Sequence, residues 1–145
     1  MKKLLIACLL SFLPVSAKII YVSPTGSGTA DGSSFENSIG TIPSGLNAAV
    51  SGDTLLLSSG EYPEPFLIDA SLTRITISSQ YLSTHDSSHI ATTIIDCQNR
   101  NDGNMISSYA ALDTTSAFIG ITFQDLPDAG YITSGAFMLI DHLTG

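Results

Sequence analysis

The chain has 145 residues, room for one domain and not for two. Thirteen acidic residues face five basic ones, a formal charge of -8, so nucleic-acid binding and adhesion to an anionic lipid surface, which both need clustered Lys and Arg, are excluded as functions. Only 12% of residues are charged and mean hydropathy is +0.30, a balance opposite to that of disordered chains, so a packed core is expected.

Met1 to Ala17 reads as a secretory signal peptide. Lys2 and Lys3 supply the positive start, and Leu4 to Leu13 an apolar run short of the about 20 residues of a membrane crossing. Pro14 ends the run, and Val15-Ser16-Ala17 places small residues for cleavage before Lys18. A lipoprotein signal at Leu5-Ile6-Ala7-Cys8 is the rival reading, although the apolar run continues past that cysteine; an uncleaved anchor is the third. Cleavage leaves three basic residues (Lys18, Arg74, Arg100) against all 13 acidic ones, a charge of -10, and one cysteine, Cys97, so the processed chain can form no internal disulfide. No further stretch has the length and apolarity of a transmembrane helix.

Ile19 to Ser23 is rich in β-branched and aromatic residues and predicts a strand. Pro24 to Ser38 has loop chemistry. Ile39 to Val50 carries apolar residues near one helical face, but Pro43 and Gly45 allow one short helix at most. Ser51-Gly52-Asp53 is a turn and Thr54 to Leu57 a strand. Beyond Gly60, short runs recur between turns: Phe66–Ile68, Arg74–Ile77, Thr93–Asp96, Phe118–Phe123 and Phe137–Ile140. From Leu56 in the earlier strand to Thr76, Ile95, Ile121 and Leu139 the intervals are 20, 19, 26 and 18 residues, a loose repeat that predicts a parallel solenoid rather than hairpins or a sandwich. The expected fold is thus all-β: a right-handed parallel β-helix with a short N-terminal capping helix, incomplete at its C-terminus. In this reading residues 1–17 are the signal, about 18–52 the cap and about 53–145 the coils, with further coils able to follow Gly145.

Tyr21-Val22-Ser23-Pro24-Thr25-Gly26-Ser27-Gly28, Asp31-Gly32-Ser33-Ser34 and above all Gly52-Asp53-Thr54 to Gly60-Glu61-Tyr62 resemble the N-terminal portion of right-handed parallel β-helix proteins of the pectin-lyase-like superfamily. Gly120 to Phe123 and Ser134-Gly135-Ala136-Phe137 are similar to coils of polymorphic outer-membrane, adhesin-like proteins, with departures at Leu126 and Ser134. The resemblance implies the fold, and two kinds of activity on that fold: adhesion, or action on extracellular polysaccharide as a lyase or hydrolase, with calcium implied only for the lyase.

No residue is assigned a catalytic, cofactor-binding or metal-binding role from the sequence. Asp96 is either a groove carboxylate or a turn residue bonding its own backbone. Asp86, Asp102, Asp125 and Asp128 read as loop acids, and only stacking of the chain would bring Asp96 and Asp125 onto one face. His85 and His89, spaced H-x-x-x-H beside Asp86, would share a helical face for zinc, but their Ser/Thr-rich segment reads as loop. His142 reads as a surface residue. Cys97 is a buried hydrophobe or a reactive thiol. Tyr21, Tyr62, Tyr81, Tyr109 and Tyr131 are packing residues or a sugar-stacking platform. The function expected is therefore binding or adhesion at the cell surface or outside the cell, to a glycan or protein ligand that the sequence does not identify. The alternatives are the N-terminal part of a polysaccharide lyase or hydrolase, and a capping module without activity of its own.

Overall fold

A computed structural model describes residues 16–64, 66–68, 72–98, 106–108, 116–125, 137–138 and 143–144. In chain order the elements are β1 (Ile19–Ser27), α1 (Ile42–Ala48), β2 (Thr54–Leu57), β3 (Gly60–Tyr62), β4 (Phe66–Ile68), β5 (Thr76–Ser79), α2 (Tyr81–Thr84), α3 (Ser88–Thr92), β6 (Thr93–Asp96), β7 (Ile106–Ser108), β8 (Ala117–Ile119), β9 (Thr122–Gln124), β10 (Phe137–Met138) and β11 (Leu143–Thr144). The strands form three sheets, ordered β1-β2-β5-β8-β10, β3-β6-β9-β11 and β4-β7. Every strand pairing among the described residues is parallel.

The expectation of an all-β solenoid with one capping helix does not hold. Three helices stand among these strands, two of them well past the N-terminal region, and the combination of parallel sheets with intervening helices is α/β in character. The assumed repeat fails as well. Leu56 pairs with Ser78 rather than Thr76, and Ile95 lies in the second sheet, opposite Tyr62 and Phe123. In the first sheet Thr54, Thr76 and Ala117 share a register, so 22 residues separate one pair and 41 the next. The physical reason is that β-branched runs mark strands locally, whereas register depends on what lies between them.

What lies between β5 and β6 is a pair of short helices in the segment read as loop. Their Ser, Thr and Asp side chains supply hydrogen bonds that propensity does not count. The Tyr81 N–H donates to Ser79 Oγ (3.2 Å), and Thr84 Oγ1 donates back to the Gln80 carbonyl (2.9 Å). Asp86 Oδ1 accepts from Ser88 N (2.9 Å), and Thr92 Oγ1 donates to the Ser88 carbonyl (2.9 Å). The apolar anchor is Ile90, buried beside β6 and β9, with its carbonyl accepting from Thr122 Oγ1 at 2.9 Å.

Pro43 and Gly45 do not prevent α1. Proline stands in the first turn, where its missing N–H costs nothing, and Thr41 caps the helix by accepting from Ser44 N. Gly45 brings the helix onto the sheet: a Cβ there would meet Val22 Cγ2 at 2.9 Å and Leu55 Cδ2 at 3.1 Å. The run Phe118–Phe123, read as one strand, is cut at Gly120, whose φ of +62° turns the chain from the first sheet to the second. A side chain there would also collide with Tyr81 Cβ at 2.8 Å.

Alternation along the strands sorts the faces. Ile20, Leu55, Ile77 and Phe118 form one inward row of the first sheet, and Tyr62, Ile95 and Phe123 one of the second. Phe118 and Phe123 meet edge to face with centroids 5.6 Å apart, joining the two rows. At about 1.5–3 kcal/mol for each large apolar side chain removed from water, these rows are the main stabilising term.

One buried carboxylate ties the N-terminal region to the sheets. Asp53 is wholly buried. Its Oδ1 accepts from Lys18 N and its Oδ2 from Val50 N, both at 2.9 Å. Its own N–H donates to the Val50 carbonyl, and its carbonyl accepts from Thr76 N. β1, the chain leaving α1, β2 and β5 therefore converge on one residue. Asp53→Ala is expected to cost about 3 kcal/mol, because hydrogen bonds to a charged group are lost and two N–H donors lose their acceptor; equilibrium urea unfolding measures this.

Candidate binding face

The outward side of the second sheet gathers three acidic residues. Glu61 lies opposite Ile94 in register, and Asp96 opposite Gln124. Glu61, Ile94, Asp96 and Gln124 alternate with the buried inward row and so lie on the outer side, where α3 covers Thr122 opposite Ile94, and Asp125 follows directly at the end of β9. Stacking thus brings Asp96 and Asp125 to one end of the sheet and adds Glu61, which sequence reasoning had assigned no chemistry. The signal that would have found it is the parallel pairing of Gly60–Tyr62 with Thr93–Ile95.

The Glu61 carboxyl hydrogen-bonds that of Asp96. This contact, followed by partial loss of hydration and the charges of Asp96 and Asp125, holds Glu61 above the ordinary glutamate range. Asp96 also makes a turn, its Oδ1 accepting from Gln98 N at 2.8 Å. Asp31 and Asp86 repeat that geometry with Ser33 N (2.8 Å) and Ser88 N (2.9 Å). The hydrogen bonds to Ser33 and Ser88, respectively, are the main reason both carboxyls sit below the usual range. Among the described residues no group of three or more His, Cys, Asp or Glu side chains is arranged to hold a metal ion.

His85 and His89 do not share a helix. His85 ends α2 in the left-handed region at φ +58°, and His89 lies in α3. The tyrosines disperse. Tyr21 packs edge-on against Phe35 with centroids 4.8 Å apart, and Tyr81 faces His85 at 6.1 Å. Tyr62 is a core residue whose hydroxyl lies 2.9 Å from the Ser58 carbonyl and 3.2 Å from that of Val22. Arg74 is exposed, between Thr73 and buried Ile75. Arg100, Asp102, Tyr109, Asp128, Tyr131, Ser134–Ala136 and His142 lie outside the described residues, as does all of the signal segment except Ser16 and Ala17. Among the described residues no helix is long and apolar enough to cross a membrane. Comparison with protein-family models, curated proteins and solved structures finds no match to this chain.

Cys97 is buried and free, its Sγ directed at the Ile95 carbonyl. Burial, and then the charges of Asp96 and Asp125, push the thiol up to about 11. Burial likewise pushes the Tyr62 phenol up to about 12. Both folded values exceed the unfolded ones, so the unfolded chain releases these protons first. The stability the two groups contribute is complete below about pH 9 and is lost as pH rises from there through about 12. Urea unfolding across that range is expected to show the decline, and a disulfide reagent at pH 8 is expected to modify Cys97 only as the protein unfolds.

Glu61 has the same sign in the acidic range. Its contribution to stability is present below the unfolded glutamate value of about 4.3 and is lost as pH rises through the higher folded value. Glu61→Gln is expected to flatten the pH dependence of the urea midpoint between pH 4 and 7 without lowering the midpoint at pH 7.

Proposed function

We propose that the chain is a secreted or cell-surface binding domain without catalytic activity, and that it takes its ligand on the outer face of the second sheet. The observation that supports this reading is the outward group Glu61, Ile94, Asp96 and Gln124, set on strands whose inward row is fully packed. Side chains on such strands hold their spacing, because moving one would disturb the buried row beneath it. Carboxylates and an amide around one aliphatic residue suit a ligand rich in hydroxyl groups, accepting from its O–H groups while Ile94 meets an apolar ring face. The excess of acidic residues disfavours polyanions, so a neutral extracellular polysaccharide is the first ligand to try.

Binding can be read by retention of the exported protein on immobilised neutral and anionic polysaccharides, with the eluate assayed for released sugar. Retention on a neutral polymer without product is expected, with at least about tenfold weaker retention for Glu61→Ala/Asp96→Ala, the loss of one to two hydrogen bonds to charged groups. Release of reducing or unsaturated sugar would overturn the non-catalytic reading. Unchanged retention of the double variant would move the site off this face.

A further inference from the structure

We propose that removal of residues 1–17 creates a structural ion pair, the new α-ammonium group of Lys18 on the carboxylate of Asp53. The inference rests on reading residues 1–17 as a secretion signal and goes beyond it, because it assigns the processed terminus a place in the fold.

Lys18 is clamped on both sides. Its N–H donates to Asp53 Oδ1 at 2.9 Å, and its carbonyl accepts from Thr54 N at 2.9 Å, one step ahead of the Ile19–Thr54 register of β1 and β2. Ser16 and Ala17, by contrast, are exposed and belong to no strand or helix. The Ala17–Lys18 bond therefore lies at the surface, immediately before the clamp. A peptidase cutting there adds water across the bond. The hydroxyl goes to the Ala17 carbonyl carbon, and the nitrogen of Lys18 gains a hydrogen and, at neutral pH, a further proton. That nitrogen is already in hydrogen-bond contact with a buried anion. Cleavage leaves its position unchanged and turns an amide contact into a charge-assisted one.

The charged groups on the surrounding elements do not compete for this place. Lys18 Nζ reaches the Ala48 carbonyl at the end of α1 (3.3 Å). α1 has no acidic residue in its first turn and no basic residue in its last, and β2 consists of Thr54 and three leucines. Among the described residues, the segment whose Thr73 carbonyl accepts from Gly52 N brings one charged side chain, Arg74, which is exposed. Asp53 is thus the carboxylate that meets the new terminus.

The test uses the full chain passed through a secretory route. N-terminal sequencing and intact mass identify the exported terminus. Trace acetic anhydride labelling of the Lys18 α-amine across pH 6–10, folded and in urea, then gives its ionisation profile by mass spectrometry. In urea the midpoint is expected near about 8. In the folded protein it is expected at least about one pH unit higher, with labelling at least about fivefold slower at pH 8. Absence of export, or a terminus other than Lys18, would overturn both the inference and the signal reading. A Lys18 terminus with the same midpoint folded and unfolded, or with protection that does not vary with pH, would leave the signal reading standing and overturn the ion pair. Asp53→Asn is expected to return the midpoint to the unfolded value, and the folded-against-urea comparison decides the matter if that variant does not fold.

Discussion

A carboxyl group removed from water must be met by hydrogen-bond donors, and Asp53 meets that requirement by gathering chain segments far apart in sequence. Its two oxygens take N–H groups from Lys18 and Val50, and its backbone bonds Val50 and Thr76. The entry into β1, the exit from α1 and the start of β5 are therefore placed by one side chain. β2 begins at the next residue, so the register of the first sheet follows from this point, and the rows of Ile20, Leu55, Ile77 and Phe118 follow from the register.

From that anchor the rest follows by alternation and by corners. Parallel strands put alternate residues inside, and among the described residues the inside of both large sheets is mainly aliphatic and aromatic, with Ser79 and Thr93 buried beside the apolar rows. Corners need backbone shapes that most residues avoid, and Gly120 provides one between β8 and β9. The helices α2 and α3 fill the connection between β5 and β6, held by Ser, Thr and Asp side chains and one buried isoleucine. The chain is built from parallel sheets joined by helices and by connections of unequal length.

The outward surface carries what chemistry is visible. Turns occupy much of the acid: Asp31, Asp86 and Asp96 each accept the N–H two residues ahead. Glu61 differs, because it meets another carboxyl rather than a backbone donor. A surface that carries this local repulsion is suited to a ligand that relieves it, and hydroxyl donors do so without bringing charge. The proposed role of the N-terminus has the same logic at a buried acid.

The sequence by itself determined where several strands lie and what they bury. Thr54–Leu57, Phe66–Ile68 and Thr93–Asp96 were legible because β-branched and leucine runs between turn residues are a local signal. The buried state of Cys97 and the turn role of Asp96 were among the alternatives read from their neighbours. The tertiary structure alone decided the register, the helices between β5 and β6, and the meeting of Glu61 with Asp96. A sequence interval does not state which strand a residue pairs with when 22 residues separate one pair of register partners and 41 the next. Helix propensity does not count side-chain hydrogen bonds such as those of Thr84 and Asp86, nor the burial of Ile90. Glu61 and Asp96 stand 35 residues apart in the chain, and only parallel pairing of β3 with β6 brings their carboxyls into contact.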